Sequence, residues 1–409
     1  MRTIQIELET VTPLFLSGAD QEVTELRAPA FRGVLRYWLR ALHGATESSP
    51  ERVAKVAAAE RDVFGDTTRR SSLTLRVRGQ PKSKPPWDPS GAQHGLQYLL
   101  FSVRQRNLRP RSDDIRPSVS AGESFELTLQ QHGKAPDDHA LRQGLGALWL
   151  LCNLGGLGTR SRRGAGSLAV RNVTYTANDD AQAKQIQALL DQLPPLTTTA
   201  TTPEELQSSL ADGLRRLWGD RPPAPSDNSV PSFDLLHPDY CRILVLQKPQ
   251  IRKDDSNIWN RWDEALESLG QAFKAYRAGL DDDRRQVGAL LMGRDTRKPD
   301  TIQRAAFGLP IVFDYGGANK SALEGSDHDR RASPLHMRIT RLADGTFVPV
   351  VTCFKAKLLP DGEKLKLPNI NNRDIKHKIN QPDLKELDRL LNRLLTGIAP
   401  LGQALEVEL

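Results

Sequence analysis

The 409-residue sequence predicts an α+β fold with two ferredoxin-like units in one chain, an architecture that RNA-recognition sheets also use. Up to Tyr175, strand-like and helix-like segments follow in the order strand, helix, strand, strand, helix, strand. Proline and small polar residues dominate Arg221–Ser232, which is typical of a linker. Beyond it, a strand, a long helix, a hairpin and a closing helix indicate a second unit.

The elements of the first half are predicted from the spacing of apolar residues. Alternation of Ile4, Ile6 and Leu8 is typical of a half-buried strand, and a stripe at helical spacing from Phe31 to Leu42 is typical of an amphipathic helix. In chain order the predicted elements are a strand at Arg2–Glu9, a helix at Phe31–His43, and a helix whose cap and first turn are Ser49-Pro50-Glu51 and which runs to about Arg61. Strands at Leu73–Val77, Gln97–Val103 and Phe125–Leu129, a buried helix at Asp137–Asn153 and a strand at Leu168–Tyr175 follow.

The second half is predicted in the same way. Its elements are a helix at Pro203–Trp218, a strand at Arg242–Leu246, a helix at Ser256–Ala278, a strand at Phe307–Phe313, a hairpin of Met337–Thr340 with Thr346–Phe354 and a helix at Leu384–Leu395. We therefore expect an N-terminal unit at residues 1–178, a helical connector and linker at residues 179–232 and a second unit at residues 233–409.

Composition sets limits on the class of protein. Lysine and arginine number 57 against 50 acidic residues, a formal charge of +7, which is too small an excess to indicate nucleic-acid binding without local clustering. Cys152, Cys241 and Cys353 are too far apart for a disulfide framework or a zinc site. No apolar run approaches the roughly 20 residues of a membrane span. We expect a cytoplasmic protein without a membrane contact.

The segment Gly155–Leu168 reads GGLGTRSRRGAGSL and joins five glycines to three arginines. Glycine lets the backbone approach a ligand closely, and arginine offers a planar fork of donors to phosphate. Neither a P-loop nor a dinucleotide fingerprint is present, because no Gly-Lys-Ser/Thr occurs and Ser161 stands at the third glycine position. The alternative is a flexible turn with exposed arginines. The predicted RNA contacts are Gly155, Gly156, Gly158, Arg160, Ser161, Arg162, Arg163, Gly164 and Gly166.

A second basic group lies on the helix Phe31–His43. Arg32, Arg36 and Arg40 are four residues apart and opposite the apolar stripe, and no acidic residue of this helix can pair with them. We predict a positive ridge that contacts RNA phosphates, with a solvated helix face as the alternative. Two further basic groups are candidates for RNA contact or for mobile basic loops. One comprises Arg104, Arg106, Arg109, Arg111 and Arg116, and the other is the pair Arg330-Arg331.

Few residues of the sequence indicate catalysis. His43 could act as a general acid or base, but a histidine in the last turn of a helix also suits a capping role. Asp20 could bind a metal or position a proton, although loop aspartates commonly bond their own backbone. His328 with Asp327 and Asp329 lacks the spacing of a metal-ligand set. We predict no catalytic residue, no metal and no cofactor.

Two stretches of the first half resemble a known family. Thr12–Asp20 reads TPLFLSGAD and Glu25–Arg40 reads ELRAPAFRGVLRYWLR. They are similar to the N-terminal signature of the first-numbered subunit of the Cmr complex, the type III-B CRISPR effector built from RAMP-superfamily proteins. The glycine-rich segment resembles the glycine-rich loop of that superfamily, and Phe307–Ile311 and Arg331–Leu335 resemble two segments of the family's C-terminal half.

The resemblance implies two ferredoxin-like (RRM-like) RAMP domains and a place near the 3′ region of the crRNA, away from its 5′ tag. It implies a non-catalytic RNA-binding subunit that helps capture target RNA in antiviral defence, with crRNA, target RNA and other Cmr subunits as partners. The family's RNA contacts map onto the glycine-rich segment and the helix arginines. The alternatives are a RAMP endoribonuclease that uses His43 or Asp20 and a scaffold whose RNA contact is incidental.

Overall fold

A computed structural model of the chain describes residues 2–20, 22–48, 50–81, 94–103, 116–132, 138–224, 229–250, 252, 255–295, 297, 299–316, 319–370 and 373–409. Four arginines of the predicted basic loop, Arg104, Arg106, Arg109 and Arg111, lie outside the described residues, whereas Arg116 lies within them. In the part of the chain that is described, no helix combines the length and the apolar character that crossing a membrane requires.

The first unit has the strand order of a ferredoxin-like fold. Four antiparallel strands form a sheet in the order β2-β3-β1-β4, so that the first and third strands are central. Two of its helices, α1 and α4, pack their apolar faces on this sheet. Its elements are β1 (Arg2–Thr10), α1 (Ala28–Thr46), α2 (Arg52–Phe64), β2 (Leu73–Arg78), α3 (His94–Leu100), β3 (Ser124–Gln131), α4 (His139–Leu154) and β4 (Leu168–Thr176).

The second unit repeats the same strand order. Its sheet runs β12-β5-β9-β8, which again places the first and third strands in the middle. The predicted second ferredoxin-like unit is therefore confirmed, while its boundaries at residues 178 and 232 stay a prediction. The elements are β5 (Cys241–Val245), α7 (Trp262–Ala278), β8 (Leu335–Arg341), β9 (Phe347–Phe354), α9 (Lys385–Thr396) and β12 (Leu405–Glu406), and the connecting helices before them are α5 (Asp180–Gln192) and α6 (Pro203–Trp218).

Two insertions into the second unit build a third sheet that the sequence did not predict. One insertion lies between α7 and β8 and the other between β9 and α9. Their strands pair in the order β11-β10-β7-β6. The inserted elements are α8 (Asp281–Leu291), β6 (Ile311–Asp314), β7 (Lys320–Gly325), β10 (Leu365–Ile370) and β11 (Arg373–Ile379). Two of these inserted elements, β6 and α8, form part of one wall of the largest basic cleft described for the candidate site.

The strand predicted at Gln97–Val103 is wrong, since this segment belongs to α3 and to a following 3₁₀ turn at Phe101–Val103. A distant carboxylate accounts for the helix. Glu267 of α7 accepts the N–H groups of Gly95 and Leu96 at 2.8 and 2.7 Å, which satisfies two donors of the first turn. Because a negative charge at a helix N-terminus is favourable, this tertiary contact outweighs a sequence pattern that suits a strand.

Two other predicted elements begin later than expected. The helix predicted from Ser256 starts at Trp262, because Trp259 instead exchanges backbone hydrogen bonds with Phe347. The strand predicted at Phe307–Phe313 is confined to β6 and is preceded by a 3₁₀ turn at residues 303–307. Gly308, at φ 110°, separates the turn from the strand. The remaining predicted helices and strands agree with the structure apart from their ends.

A buried arginine joins the two units. Arg338 of β8 is 1% exposed and donates to the carbonyl oxygens of Cys152, in the last turn of α4, and of Leu168, at the start of β4. Burial lowers its pKa to about 10, so it is still charged at neutral pH. A cation at the C-terminal end of a helix stabilises the carbonyls left without partners there. This contact holds the second unit against the point where the glycine-rich segment begins.

Candidate nucleic-acid interface

The glycine-rich segment, residues 155–168, forms a compact loop between α4 and β4. The backbone N–H of Thr159 donates to the oxygen of Phe15 at 2.8 Å, and that of Gly166 donates to the oxygen of Pro13 at 2.9 Å. Across the loop, Leu157 N–H donates to the oxygen of Gly166 at 2.9 Å. The TPLF segment, Thr12–Phe15, and this loop both carry the family resemblance, and these hydrogen bonds hold them against each other.

Two glycines of the loop allow close packing against the protein's own backbone. A side chain at Gly158, which has φ 86°, would lie 2.5 Å from the backbone oxygen of Phe15. One at Gly166, with φ 64°, would overlap the oxygen of Leu157. The close approach that glycine allows is thus made to the protein itself, and direct contact of this backbone with RNA stays a prediction. The buried glycines of the loop are Gly155, Gly156, Gly164 and Gly166.

Arg160 and Arg163 have no compensating carboxylate among the described residues. Each guanidinium lies over an aromatic ring, Arg160 at 4.7 Å from the centre of Phe101 and Arg163 at 4.9 Å from that of Phe273. Among the described residues no carboxylate lies within 4.0 Å of either, and one buried nitrogen of each has no hydrogen-bond partner. Burial lowers the pKa of Arg160 to about 10 and that of Arg163 to about 9. Both are charged at neutral pH, so a bound anion would relieve their desolvation.

The backbone of Arg160 supports this interpretation. Its φ of 62° is the one positive value that the described part of the chain shows outside glycine. A residue with a Cβ pays about 1–2 kcal/mol for the left-handed conformation. Such strain is typical of binding sites, where the surrounding structure holds a side chain in a required direction.

Arg162 is in a different situation, because a buried carboxylate partly neutralises it. Its Nη1 lies 3.7 Å from Asp234 Oδ2 and donates to the backbone oxygen of Ser333. Arg331 approaches the other oxygen of Asp234 at 3.4 Å, and Tyr37 donates its hydroxyl to Asp234 at 2.8 Å. Burial, followed by the charge of Asp234, raises the pKa of Tyr37 well above its usual value, so the phenol remains a donor. Asp234 therefore fixes the directions of two arginines.

These side chains face a cleft of about 930 Å³ between the first unit, α7 and the inserted sheet. The loop contributes residues 160–163, and Tyr98, Phe101, Phe273 and Tyr315 add aromatic surface. Asp314 is the one acidic residue among the described residues that line it. The arginines of the lining are Arg160, Arg162, Arg163, Arg277, Arg284, Arg304, Arg330 and Arg331. A concave surface with this excess of guanidinium groups is suited to a polyanion.

Sequence reasoning missed three of these arginines. Arg277 lies in the last turn of α7, Arg284 lies on α8 and Arg304 lies in the 3₁₀ turn before β6, so no cluster is visible along the chain. Their side chains meet because α7 and the inserted sheet pack beside the loop. The predicted pair Arg330-Arg331 does line the cleft, which extends the predicted basic surface to the second unit.

The predicted ridge on α1 needs a correction. Glu60 of α2 lies 3.5 Å from Arg36 and 2.8 Å from Arg40, so an acidic partner exists although none occurs within α1. Arg36 also donates to the backbone oxygens of Phe64, at 3.1 Å, and of Gly65. Neither these two arginines nor Arg32 is among the described residues of the cleft. The ridge therefore lies outside the lining of this cleft, and RNA contact by the ridge stays a prediction.

The candidate catalytic groups lie elsewhere. His43 bonds Gln143 Oε1 at 2.9 Å in a separate small pocket, and burial lowers its pKa. The carboxylate of Asp20 accepts the backbone N–H of Glu22 at 2.8 Å, which is the local bond that a loop aspartate commonly makes. His328 bonds Glu363 at 2.8 Å. Within the described residues, no group of three histidine, cysteine or acidic side chains is placed to hold a metal ion.

Comparison with known proteins agrees with the fold. The profile of the RAMP superfamily matches residues 7–169. The CRISPR system Cmr subunit Cmr1-2 of Pyrococcus furiosus is 31% identical over 180 residues, which cover 40% of this chain and 93% of that protein. Cmr1-1 of the same organism is 24% identical over 361 residues, 87% of this chain and 89% of that protein. This chain belongs to the Cmr1 family of the RAMP superfamily.

Solved structures show the same fold. The crystal structure of apo Cmr1 from Pyrococcus furiosus superimposes with a TM-score of 0.53 at 22% identity, covering 88% of this chain and 90% of that one. A chain of the type III-B Cmr-beta complex bound to cognate target RNA superimposes with a TM-score of 0.50 at 14% identity, covering 96% and 98%. Both matches extend over the two ferredoxin-like units rather than one.

Proposed function

We propose that this chain is an RNA-binding, non-catalytic subunit of a type III-B Cmr ribonucleoprotein, and that it helps capture target RNA in antiviral defence. The observation that carries the proposal is the arginine-lined cleft between the loop and the second unit. Family membership supports it, as does the likeness to a chain from a Cmr complex that holds target RNA. The partners are crRNA, target RNA and other Cmr subunits, and the three free, buried cysteines suit the cytoplasm.

The chemistry of the cleft favours the sugar–phosphate backbone as its ligand. Arg160 and Arg163 carry charges that the described part of the protein leaves without carboxylates, so phosphate oxygens can supply the missing acceptors. Arg162 and Arg331 are held by Asp234, which presents their remaining donors in fixed directions. Such contacts position a strand without reading its sequence. We therefore expect RNA binding that depends little on base sequence.

The first experiment measures binding of a short single-stranded RNA to the purified chain. The double variant Arg160→Ala/Arg163→Ala should bind at least about tenfold more weakly, given about 1.5–3 kcal/mol for each hydrogen bond to a charged group. The matched control Arg261→Ala/Arg297→Ala removes two exposed arginines outside the cleft lining and should change affinity less than about threefold. Equal losses in both variants would contradict a localised site.

A second experiment tests the place of the chain in the complex. We expect it near the 3′ region of the crRNA, as the family resemblance implies. A crRNA that carries a photoreactive uridine near its 3′ end should crosslink to this chain in the assembled complex, whereas one modified near the 5′ tag should not. Crosslinking from the 5′ tag alone would refute this placement.

The same preparations address catalysis. Labelled guide and target RNAs should stay intact with the wild-type chain, with or without Mg²⁺. Cleavage that disappears in His43→Ala or Asp20→Ala would establish the endoribonuclease instead. Because His43 bonds Gln143 and Asp20 bonds the backbone of Glu22, both outside the cleft lining, we expect neither to touch bound RNA.

A further inference from the structure

One aromatic side chain of the cleft is unusually exposed. Phe101, in the 3₁₀ turn after α3, is 58% exposed, and it belongs to none of the hydrophobic clusters among the described residues. Val312 of β6, which lines the same cleft, is 55% exposed. Large apolar side chains in water cost free energy unless a partner covers them, so exposed apolar surface within a cationic cleft indicates a ligand with both charge and apolar faces.

The Phe101 ring also has a defined orientation. The guanidinium of Arg160 lies 4.7 Å from the ring centre and covers one face. More than half of the residue is exposed, and it lines the cleft. The guanidinium of Arg160, which has no carboxylate within 4.0 Å among the described residues, therefore lies beside the flat apolar surface of the Phe101 ring.

We propose that Phe101 is a stacking platform for an unpaired base of the RNA strand whose phosphates bind Arg160 and Arg163, so that the cleft selects single-stranded over duplex RNA. This inference rests on the proposed function and adds the class of RNA to it. Nucleic-acid bases present flat faces only when unpaired and unstacked, and each of the four bases has such a face. The site consequently accepts any sequence but not a continuous duplex.

The experiment compares three RNA probes of equal length with the full chain: a mixed-sequence single strand, an abasic strand with the same phosphates, and a duplex. The variant Phe101→Ala should bind the single strand about 5- to 140-fold more weakly, the range for loss of one stacked base. Its affinity for the abasic strand should stay within about twofold of wild type, and Phe101→Tyr should restore binding of the single strand. Tyr175→Ala, an exposed aromatic outside the cleft lining, is the matched control and should leave binding unchanged.

Three results would overturn the proposal. If Phe101→Ala binds the single strand like wild type, no base stacks there. If it loses affinity equally for the single and abasic strands, Phe101 only holds Arg160 in place. Wild-type protein that binds duplex as tightly as the single strand would refute the selectivity.

The outcomes separate this inference from the proposed function. Loss of binding in Arg160→Ala/Arg163→Ala together with unchanged binding in Phe101→Ala refutes stacking alone. Unchanged binding in the arginine variant refutes the RNA site itself. Because Phe101 is largely exposed, replacing it should alter thermal unfolding little, and this measurement confirms that each variant is folded.

Discussion

Replacing Arg163 with alanine should make RNA binding both weaker and less sensitive to salt. The magnitude follows from counting arginines of the cleft that lack a carboxylate within 4.0 Å among the described residues: Arg160, Arg163, Arg277, Arg284 and Arg330. Each phosphate neutralised on a single strand adds about −0.7 to the slope of log affinity against log salt concentration. Five such contacts predict a slope of about −3.5, or roughly a 100-fold loss of affinity between about 50 and 200 mM salt.

The variant Arg163→Ala should reduce the steepness of that slope by about 0.7, whereas Arg162→Ala should change it less, because Asp234 already neutralises much of the charge at Arg162. The assay is fluorescence anisotropy of a labelled single-stranded RNA across a salt series, with Arg297→Ala as the control outside the cleft lining. A wild-type slope flatter than about −1, or identical slopes for wild type and Arg163→Ala, would refute the reasoning.

Three further outcomes concern stability. Gly166→Ala should lower the free energy of unfolding in urea by more than Gly122→Ala. Both glycines have a positive φ, which costs alanine about 1–2 kcal/mol, but only at Gly166 would the new side chain also overlap a backbone oxygen. Equal losses in the two variants would contradict this reasoning. Glu60→Gln should lower thermal stability and leave RNA affinity unchanged, since this carboxylate pairs with Arg36 away from the cleft; weakened RNA binding would contradict the structural role. Burial, followed by nearby arginines, holds the pKa of His336 well below its usual value. In mildly acidic solution His336 is therefore protonated in the unfolded state but neutral in the folded state. Stability should fall below about pH 6.5, by up to about 1.4 kcal/mol per pH unit for this group, and His336→Gln should show a shallower fall in urea unfolding between neutral and mildly acidic pH.

Local patterns predicted most of the helices and strands. The helix at Pro203–Trp218 has the same ends in sequence and structure, because a threonine cap, a first-turn proline and a terminal glycine mark it locally. The segment from Gln97 to Val103 was misread because its helical state depends on Glu267, a residue far along the chain. The inserted third sheet was missed for a related reason, since its strands are short and pair across an intervening ferredoxin hairpin.

The candidate site was also predictable from the sequence only in part. The loop was visible from its composition, and its arginines do line a cleft. The sequence did not show that Glu60 pairs with Arg36 and Arg40, or that Asp234 pairs with Arg162, because each carboxylate lies on another segment. It also could not name a stacking residue, because exposure of an aromatic ring is a property of the folded surface.

The sequence by itself determined the α+β class, the two strand–helix units and the basic, glycine-rich loop, because periodicity, proline and glycine act over a few neighbouring residues. Only the tertiary structure decided which positive charges are neutralised and which are not. Carboxylates, aromatic rings and arginines meet through packing between distant elements, and the strength of a charge depends on its neighbours and its access to water. The cleft that joins Phe101, Arg160 and Arg163 with the second unit is the product of that packing.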